Sequence, residues 1–497
     1  MSRRDVPPFS NEERTAMWRT IFRKELQENI LGYRFPLFFA ICAVLVLTSL
    51  YVHQLDYAKR VRDYSEQVRL AGEELAAARA VDLHFGRIPL RGFLPPSPLA
   101  VFAGGFESSL PKFYDFSAEG PKPGDTSVSE ESVLAVFGPL DFLFIVQMVA
   151  SLIVLLFASD MIAGEKDMGT LRVMFANNIP RHSVLWGKFL GGFAAVWLPF
   201  LVVFLIGTIL LGLLAFPLGR PGMPGRLALI FAAATAFLLA YFALGLLVSA
   251  SSARSRTALV AILLVWIALQ VALPRLSDMV AAVIHPVPTE TVVSMQKSVV
   301  VKTVDNETAR ALGRQYEALF GRGTPYSTEP EPASKRAEWE AFKSDLEARA
   351  AERKASQLRE IETGYQRERA RQRQIALNLS LVSPSAAFTR LMADLCGTGE
   401  IDRARYLEAV RAHQRTLDAA LYGHVHRTTV IMPSGGTASG SSIDQLVDPK
   451  SLPAFAFSRA GLAEVLAGNW GSLISIAFWL IAPFAAAYVR FINYDVR

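Results

Sequence analysis

The sequence predicts an all-α membrane protein with six transmembrane helices and a helical extracytoplasmic stalk domain, on three observations. The 497 residues are 52% hydrophobic and 19% charged, with mean hydropathy +0.29, whereas an average soluble chain is about a quarter charged. Six apolar runs free of Asp, Glu, Lys, Arg and His each reach the roughly 18 residues that cross a hydrocarbon layer of about 30 Å as a helix. The charges gather instead in a late segment dense in Arg and Glu, where apolar residues recur at heptad spacing.

These features exclude a soluble enzyme. The net charge of +6 is small for the length and argues against a nucleic-acid partner; Lys and Arg read instead as residues that orient spans in the bilayer. Cys42, in an apolar run, and Cys396, in a distant polar region, make no disulfide framework.

The runs cover 35–52, 142–159, 189–216, 227–249, 257–274 and 470–489. More than thirty residues precede the first, and no small-residue cleavage site follows it, so it reads as an anchor and not as a signal peptide. Lys and Arg in short connections set the orientation. The arm 1–34 carries Arg3, Arg4, Arg14, Arg19, Arg23, Lys24 and Arg34; 160–188 carries Lys166, Arg172, Arg181 and Lys188; Arg254 and Arg256 follow the fourth run, and Arg490 and Arg497 the sixth. Six spans put all of these in the cytoplasm with both termini. Segments 53–141 and 275–469 then lie outside. Arg220 and Arg226, in the short third connection, are a mild exception.

Without an ionisable group inside any span, an ion-coupled pump driven by its own residues is disfavoured. Gln147 and Gln270 are the notable polar groups there, and a hydrogen bond between neighbouring helices is their simplest role.

Ser10-Asn11-Glu12-Glu13 has the form of a capping box. Trp18, Ile21, Phe22, Leu26 and Ile30 then recur at helical steps among Arg19, Arg23, Lys24 and Glu28, as in a helix lying in the headgroup region. After the second run, Asp160 to Arg172 forms a polar turn with two glycines, and a short apolar-faced segment with Leu171, Met174 and Phe175 stops near Pro180. A short helix so placed can present side chains to a cytoplasmic partner.

Glu165-Lys166-Asp167-Met168-Gly169-Thr170-Leu171, followed by Pro180-Arg181 and Gly187-Lys188 at the next span, resembles the signature of ABC-2 type permeases, the membrane subunits of ATP-binding-cassette transporters. Six spans, inside termini and the N-terminal helix fit the same family, and the large segment after the fifth span is similar to a bacterial branch with an extracytoplasmic insertion. The resemblance implies two permease subunits, as a homodimer or a related heterodimer, above two copies of an ABC ATPase. It assigns the ATPase-coupling role to Glu165, Gly169, Thr170, Leu171, Arg172 and Arg181. No Gly-x-x-x-x-Gly-Lys-Ser/Thr occurs, so this chain is expected to hold no cofactor and no catalytic residue, with ATP bound by the partner subunit. Moving a substrate across the membrane, as an export permease, is the leading expectation. The alternative is an ATPase-driven mechanical transmitter acting on an envelope partner through the stalk.

In the outer segments, Tyr57, Val61, Tyr64, Val68, Ala71, Leu75 and Ala78 form one heptad stripe. A second holds Trp339, Phe342 and Leu346, then Leu358, Ile361, Tyr365, Ile375 and Leu379 after a phase slip. One helix from Ser334 to Leu379 would extend about 70 Å, and packing the first stripe on the second is the simplest stalk. Arg367, Arg369, Arg371 and Arg373 read as a solvated face balanced by Glu360, Glu362 and Glu368. His424-x-His426 lacks the supporting ligands of a metal site, and none is predicted. The Gly- and Ser-rich stretch from Ser434 to Ser442 reads as a flexible loop.

Overall fold

In the computed structural model, helix is nearly continuous across the described residues, which are 11–78, 88–107, 110–117, 120–124, 140–176, 180–321, 333–422, 425–431, 437–443 and 451–494. Six helices are long and apolar enough to cross a membrane, and each overlaps one of the six runs. The all-α class therefore holds, with five short strands as the exceptions. The chain forms two compact units, one of 1–275, 380–416 and 453–497, the other of 276–379 and 417–452.

The first unit begins with α1 (Asn11–Leu31). Ser10 of the expected capping box lies outside the described residues. The first span opens α2 (Arg34–Ala77), which runs unbroken for 44 residues. At 1.5 Å per residue that is about 66 Å, twice the hydrocarbon thickness. No Gly or Pro separates the apolar run from the stripe starting at Tyr57, so nothing ends the helix at the membrane boundary. Beyond α2, strands β1 (Leu90–Phe93), β2 (Phe113–Ser117) and β3 (Gly120–Pro123) pair antiparallel in chain order.

The second span, α3 (142–159), starts where the Asp141 carboxylate accepts the Phe144 N–H at 2.8 Å. It contains a π-helical stretch, Ile145–Ala150. Two short helices follow, α4 (Ala163–Asp167) and α5 (Thr170–Ala176). Pro180, extended and without an N–H, then starts α6 (Arg181–Leu213). Next come α7 (Met223–Ser251) and α8 (Ser255–Ile284), the latter with a π-helical stretch at Ala268–Ala272.

At the centre of the unit, α7 packs through small residues: a Cβ on Gly245 would come within 2.6 Å of Ala158 Cβ. Lipid tails are as apolar as leucine, so helices in a bilayer associate by this close approach and not by hydrophobic exclusion. Toward the end of the bundle holding the three-stranded sheet, Phe102, Phe142, Phe200, Phe204 and Phe231 cluster with ring centroids 4.9–6.1 Å apart. The half-buried Arg226 and Arg459 give their guanidinium protons to backbone carbonyls of Leu395, Ala460, Gly397 and Pro95, tying the end of α11 to two loops. Nearby, burial pushes the Glu107 carboxyl above its ordinary range, opposed by Arg60 and Arg459.

The stretch between the fifth and sixth spans contributes α11 (Pro384–Leu395) to this unit. It is buried along most of its length, and Phe388 stacks on Phe237 at 4.2 Å. The last two helices of the chain are α13 (Leu462–Gly468) and the sixth span, α14 (Trp470–Ile492). Cys42 and Cys396 are both buried and free.

The second unit is led by α9 (Glu290–Phe320) and α10 (Ala333–Ser380). The 48-residue α10 matches the single long helix expected. Its partner differs: Trp339 meets Tyr316, Arg353 meets Glu307, Lys354 meets Asp305 and Glu362 meets Lys297, an antiparallel pairing with α9. The charged surroundings of Val293 and Val304, the buried residues of α9, hid that helix from heptad reading. The far half of α2 meets β1 and the 3₁₀ turn Pro98–Val101 within its own unit. On the Arg-rich face of α10, Arg371 pairs with Glu368 at 3.3 Å and Arg369 lies over Tyr365.

The helix α12 (Glu400–Tyr422) leads to β4 (Val425–Ile431). Against the expected Gly/Ser loop, β5 (Thr437–Ile443) pairs with β4, His426 opposite Ser442. The sequence Thr437 to Ile443 carries no apolar/polar alternation, so periodicity could not report this strand. His424 lies outside the described residues.

Candidate functional site

The segment between the second and third spans is fastened to four other helices at one end of the bundle. Its two short helices are separated by Gly169, whose φ of +74° is a left-handed conformation that costs an L-residue about 1–2 kcal/mol. A Cβ there would meet nothing within 4 Å, so the backbone angle, and not space, calls for glycine. The N–H groups of Ile162 and Ala163 both donate to Ser249 Oγ of α7, at 3.1 and 3.0 Å. A side chain from another span thus fills the role of a helix cap.

Three charged residues of the motif reach in three directions. Lys166 Nζ donates to the carbonyls of Ala250 and Ser252 at the end of α7 and sits 4.6 Å from the Tyr494 ring centroid. Arg181 Nη1 donates to the carbonyls of Ile492 and Tyr494 at the end of α14, with its guanidinium over Phe175. Cations at helix C-termini satisfy orphan carbonyls and complement the negative dipole end. Glu165 Oε1 lies 2.7 Å from Lys188 Nζ, and Glu25 Oε1 of α1 lies 2.6 Å from the same nitrogen.

This Glu25–Lys188–Glu165 triad is buried, with the Lys188 side chain 3% exposed. It forms because α1 crosses α6 over glycines one turn apart. A Cβ on Gly187 would meet Ile21 Cγ2 at 2.7 Å, and one on Gly191 would meet the Phe22 carbonyl at 2.8 Å. The Gly187-Lys188 pair thereby brings α1 close and supplies it with a charge. Glu165 Oε2 is buried with no hydrogen-bond partner among the described residues, so two carboxylates share one ammonium. At the same end, Arg34 pairs with Asp160 at 2.9 Å, joining the start of α2 to the end of α3.

Of the residues picked out in the sequence, Glu165, Leu171 and Arg181 face the protein itself. Leu171 is 1% exposed and belongs to the main hydrophobic core, and Phe175 packs on Phe491 at 5.7 Å. The Thr170 hydroxyl donates to the Glu165 carbonyl at 3.3 Å. Thr170 and Arg172 lie on the outer face with Asp167, Met168 and Val173. On that face Met168 is 73% and Val173 64% exposed. Sequence reading missed Glu25 and Ser249 and read Lys166 and Lys188 only as orienting charges and signature residues, without their contacts. A signal existed for Glu25, which falls on the apolar side of α1 between Phe22 and Leu26, where a carboxylate needs a partner.

A family model described as ABC-2 family transporter protein matches residues 19–496. No curated protein matches the chain. The match runs from α1 through α14, taking in all six spans and the anchored segment. The chain is therefore a multi-pass membrane protein, the permease subunit of an ABC transporter, and belongs to the ABC-2 family.

Proposed function

We propose that this permease moves its substrate outward, driven by ATP hydrolysed on a separate ABC ATPase. The ATPase docks on the α4–α5 face formed by Asp167, Met168, Thr170, Arg172 and Val173. One observation carries the reading: α4 and α5 are fastened to α6 by Glu165, to α7 by Lys166 and to α14 by Phe175 on Phe491, with Glu25 of α1 on the same Lys188 that holds Glu165, yet turn Met168 and Val173 to solvent. A push on this exposed face reaches four helices, as a shift between conformations driven by differential binding requires. The assembly is two such permeases, identical or related, on two ATPases, with no cofactor held by this chain.

Docking is tested by substitution on the outer face. Val173→Asp places a charge at a 64% exposed position, so the chain should insert and fold as before while ATPase co-purification drops at least tenfold. Undiminished co-purification would remove the docking face. Purified alone, the chain should show no ATP turnover.

The same reading places both termini, α1 and α4–α5 in the cytoplasm of a bacterial inner membrane, with the α9–α10 hairpin outside. Single cysteines at the exposed positions Met168 and Ser356, in a background lacking Cys42 and Cys396, should be labelled by an impermeant reagent from opposite faces. Labelling of both from one face would overturn the orientation.

A further inference from the structure

Two of the spans carry π-helical stretches, and in each the carbonyl displaced by the wider turn is captured by side chains from elsewhere. In α3 the Ser151 N–H bonds to the Val146 carbonyl, five residues back, which displaces the carbonyl of Gln147, its α-helical partner. That carbonyl accepts the Ser151 hydroxyl and, at 2.6 Å, the Gln270 side-chain amide of α8. In α8 the Leu273 N–H bonds to the Ala268 carbonyl, which displaces the carbonyl of Leu269. Here the partners are Ser383 and Ser385, at the start of α11, whose hydroxyls donate at 2.9 and 3.0 Å.

The captures interlock. Gln270, which serves the α3 bulge, lies inside the α8 bulge, and its amide also donates to Ser151 Oγ at 3.1 Å. Trp266 Nε1 donates to the same oxygen at 3.0 Å. Thr389 of α11 donates to Gln147 Oε1 at 2.9 Å. Gln270 is 4% exposed, and Ser151, Ser383 and Ser385 are fully buried, so in the packed state these groups rely on one another for partners. Both glutamines bond between neighbouring helices, as expected from the sequence; the direct Gln147–Gln270 contact, at 3.5 Å, is the weakest link of the set.

We infer that the two bulges form one register switch held in its π state by α11. When α11 withdraws, the Leu269 carbonyl loses both donors and regains one by taking back the Leu273 N–H in an α-helical bond. A bulge absorbs one extra residue, so relaxing it moves each later residue of α8 to the place its successor now holds, a rotation of about 100°. The buried stripe beyond the bulge, Ser277 at 5% and Ala281 at 0%, would pass to Leu276 and Val280, now 50% and 43% exposed. Gln270 would turn with it and release the Gln147 carbonyl, carrying the change into α3. The inference concerns the spans themselves and stands apart from the docking face proposed above.

The test uses single cysteines at Leu276 and Ser277 in the full chain lacking Cys42 and Cys396, labelled with a water-soluble maleimide. With the serines intact, position 276 should label and position 277 should be protected at least tenfold. In Ser383→Ala/Ser385→Ala the order should reverse. Deleting Ala272 removes the surplus residue and leaves the outer half of α8 in its present phase without a bulge. In that background the serine substitutions should no longer change the labelling. Retention of the original order in the double-serine variant, or reversal that persists after the deletion, would overturn the switch. Should the double variant fail to fold, recovery of folded chain by the Ala272 deletion supports the inference, and continued failure counts against it.

Discussion

Lys188→Met should destabilise the chain by about 3–5 kcal/mol, the usual cost of removing one partner from a buried charge set. It leaves Glu25 and Glu165 facing each other where Lys188 Nζ stood 2.6 and 2.7 Å from them. Glu165 Oε2 already lacks a partner among the described residues, so the site has no spare donor to absorb the loss. The expected result in detergent is a lower unfolding temperature, with early proteolytic release of α1, whose packing on α6 surrounds the triad. Adding Glu25→Gln and Glu165→Gln to the same variant should recover most of the loss, because replacing a buried ion set by neutral groups of similar volume is often nearly neutral. A Lys188→Met chain as stable as the parent, or a triple variant no better than the single, would show that the triad is not charged as drawn.

How far such features were legible differs by element. The six spans were readable because desolvation imposes a simple rule, a long run without charge. Long-range polar pairing follows no such rule. The Glu25 carboxylate and the Lys188 ammonium lie 163 positions apart, and only the approach of α1 over Gly187 and Gly191 brings them together. The π stretches were equally hidden, since Ile145–Ala150 and Ala268–Ala272 have ordinary apolar composition and their stability comes from Ser383, Ser385 and Gln270 on other helices. The stalk pairing was misread for a related reason. Apolar spacing was visible in α10, but α9 meets it largely through ion pairs such as Arg353 with Glu307, and periodicity of apolar residues does not report those.

The short helical segment after the second span was legible along the chain, while the direction of its side chains was not readable. Signature residues that touch a partner and those that hold the contacting helix in place look alike in sequence. Glu165, Lys166 and Arg181 are of the second kind, since each ends on a group of this same chain.

Leu171→Asp separates the two kinds most sharply. Had Leu171 filled a groove on the ATPase, aspartate there would weaken association and spare the fold. The side chain is instead 1% exposed within the core of this chain. Truncating a buried leucine to alanine costs about 2–5 kcal/mol, and a carboxylate adds the penalty of an unpaired buried charge. Total stabilities are about 5–15 kcal/mol, so Leu171→Asp should sharply reduce the folded chain recovered from membranes, with or without the ATPase. Val173→Asp, two residues on at a 64% exposed position, should change stability by no more than about 0.5 kcal/mol and act on association alone. Folded yield by fluorescence-detected gel filtration, followed by ATPase co-purification at matched yield, distinguishes the two. Normal yield of Leu171→Asp with lost association would return Leu171 to the docking face and overturn the division between anchoring and contacting residues.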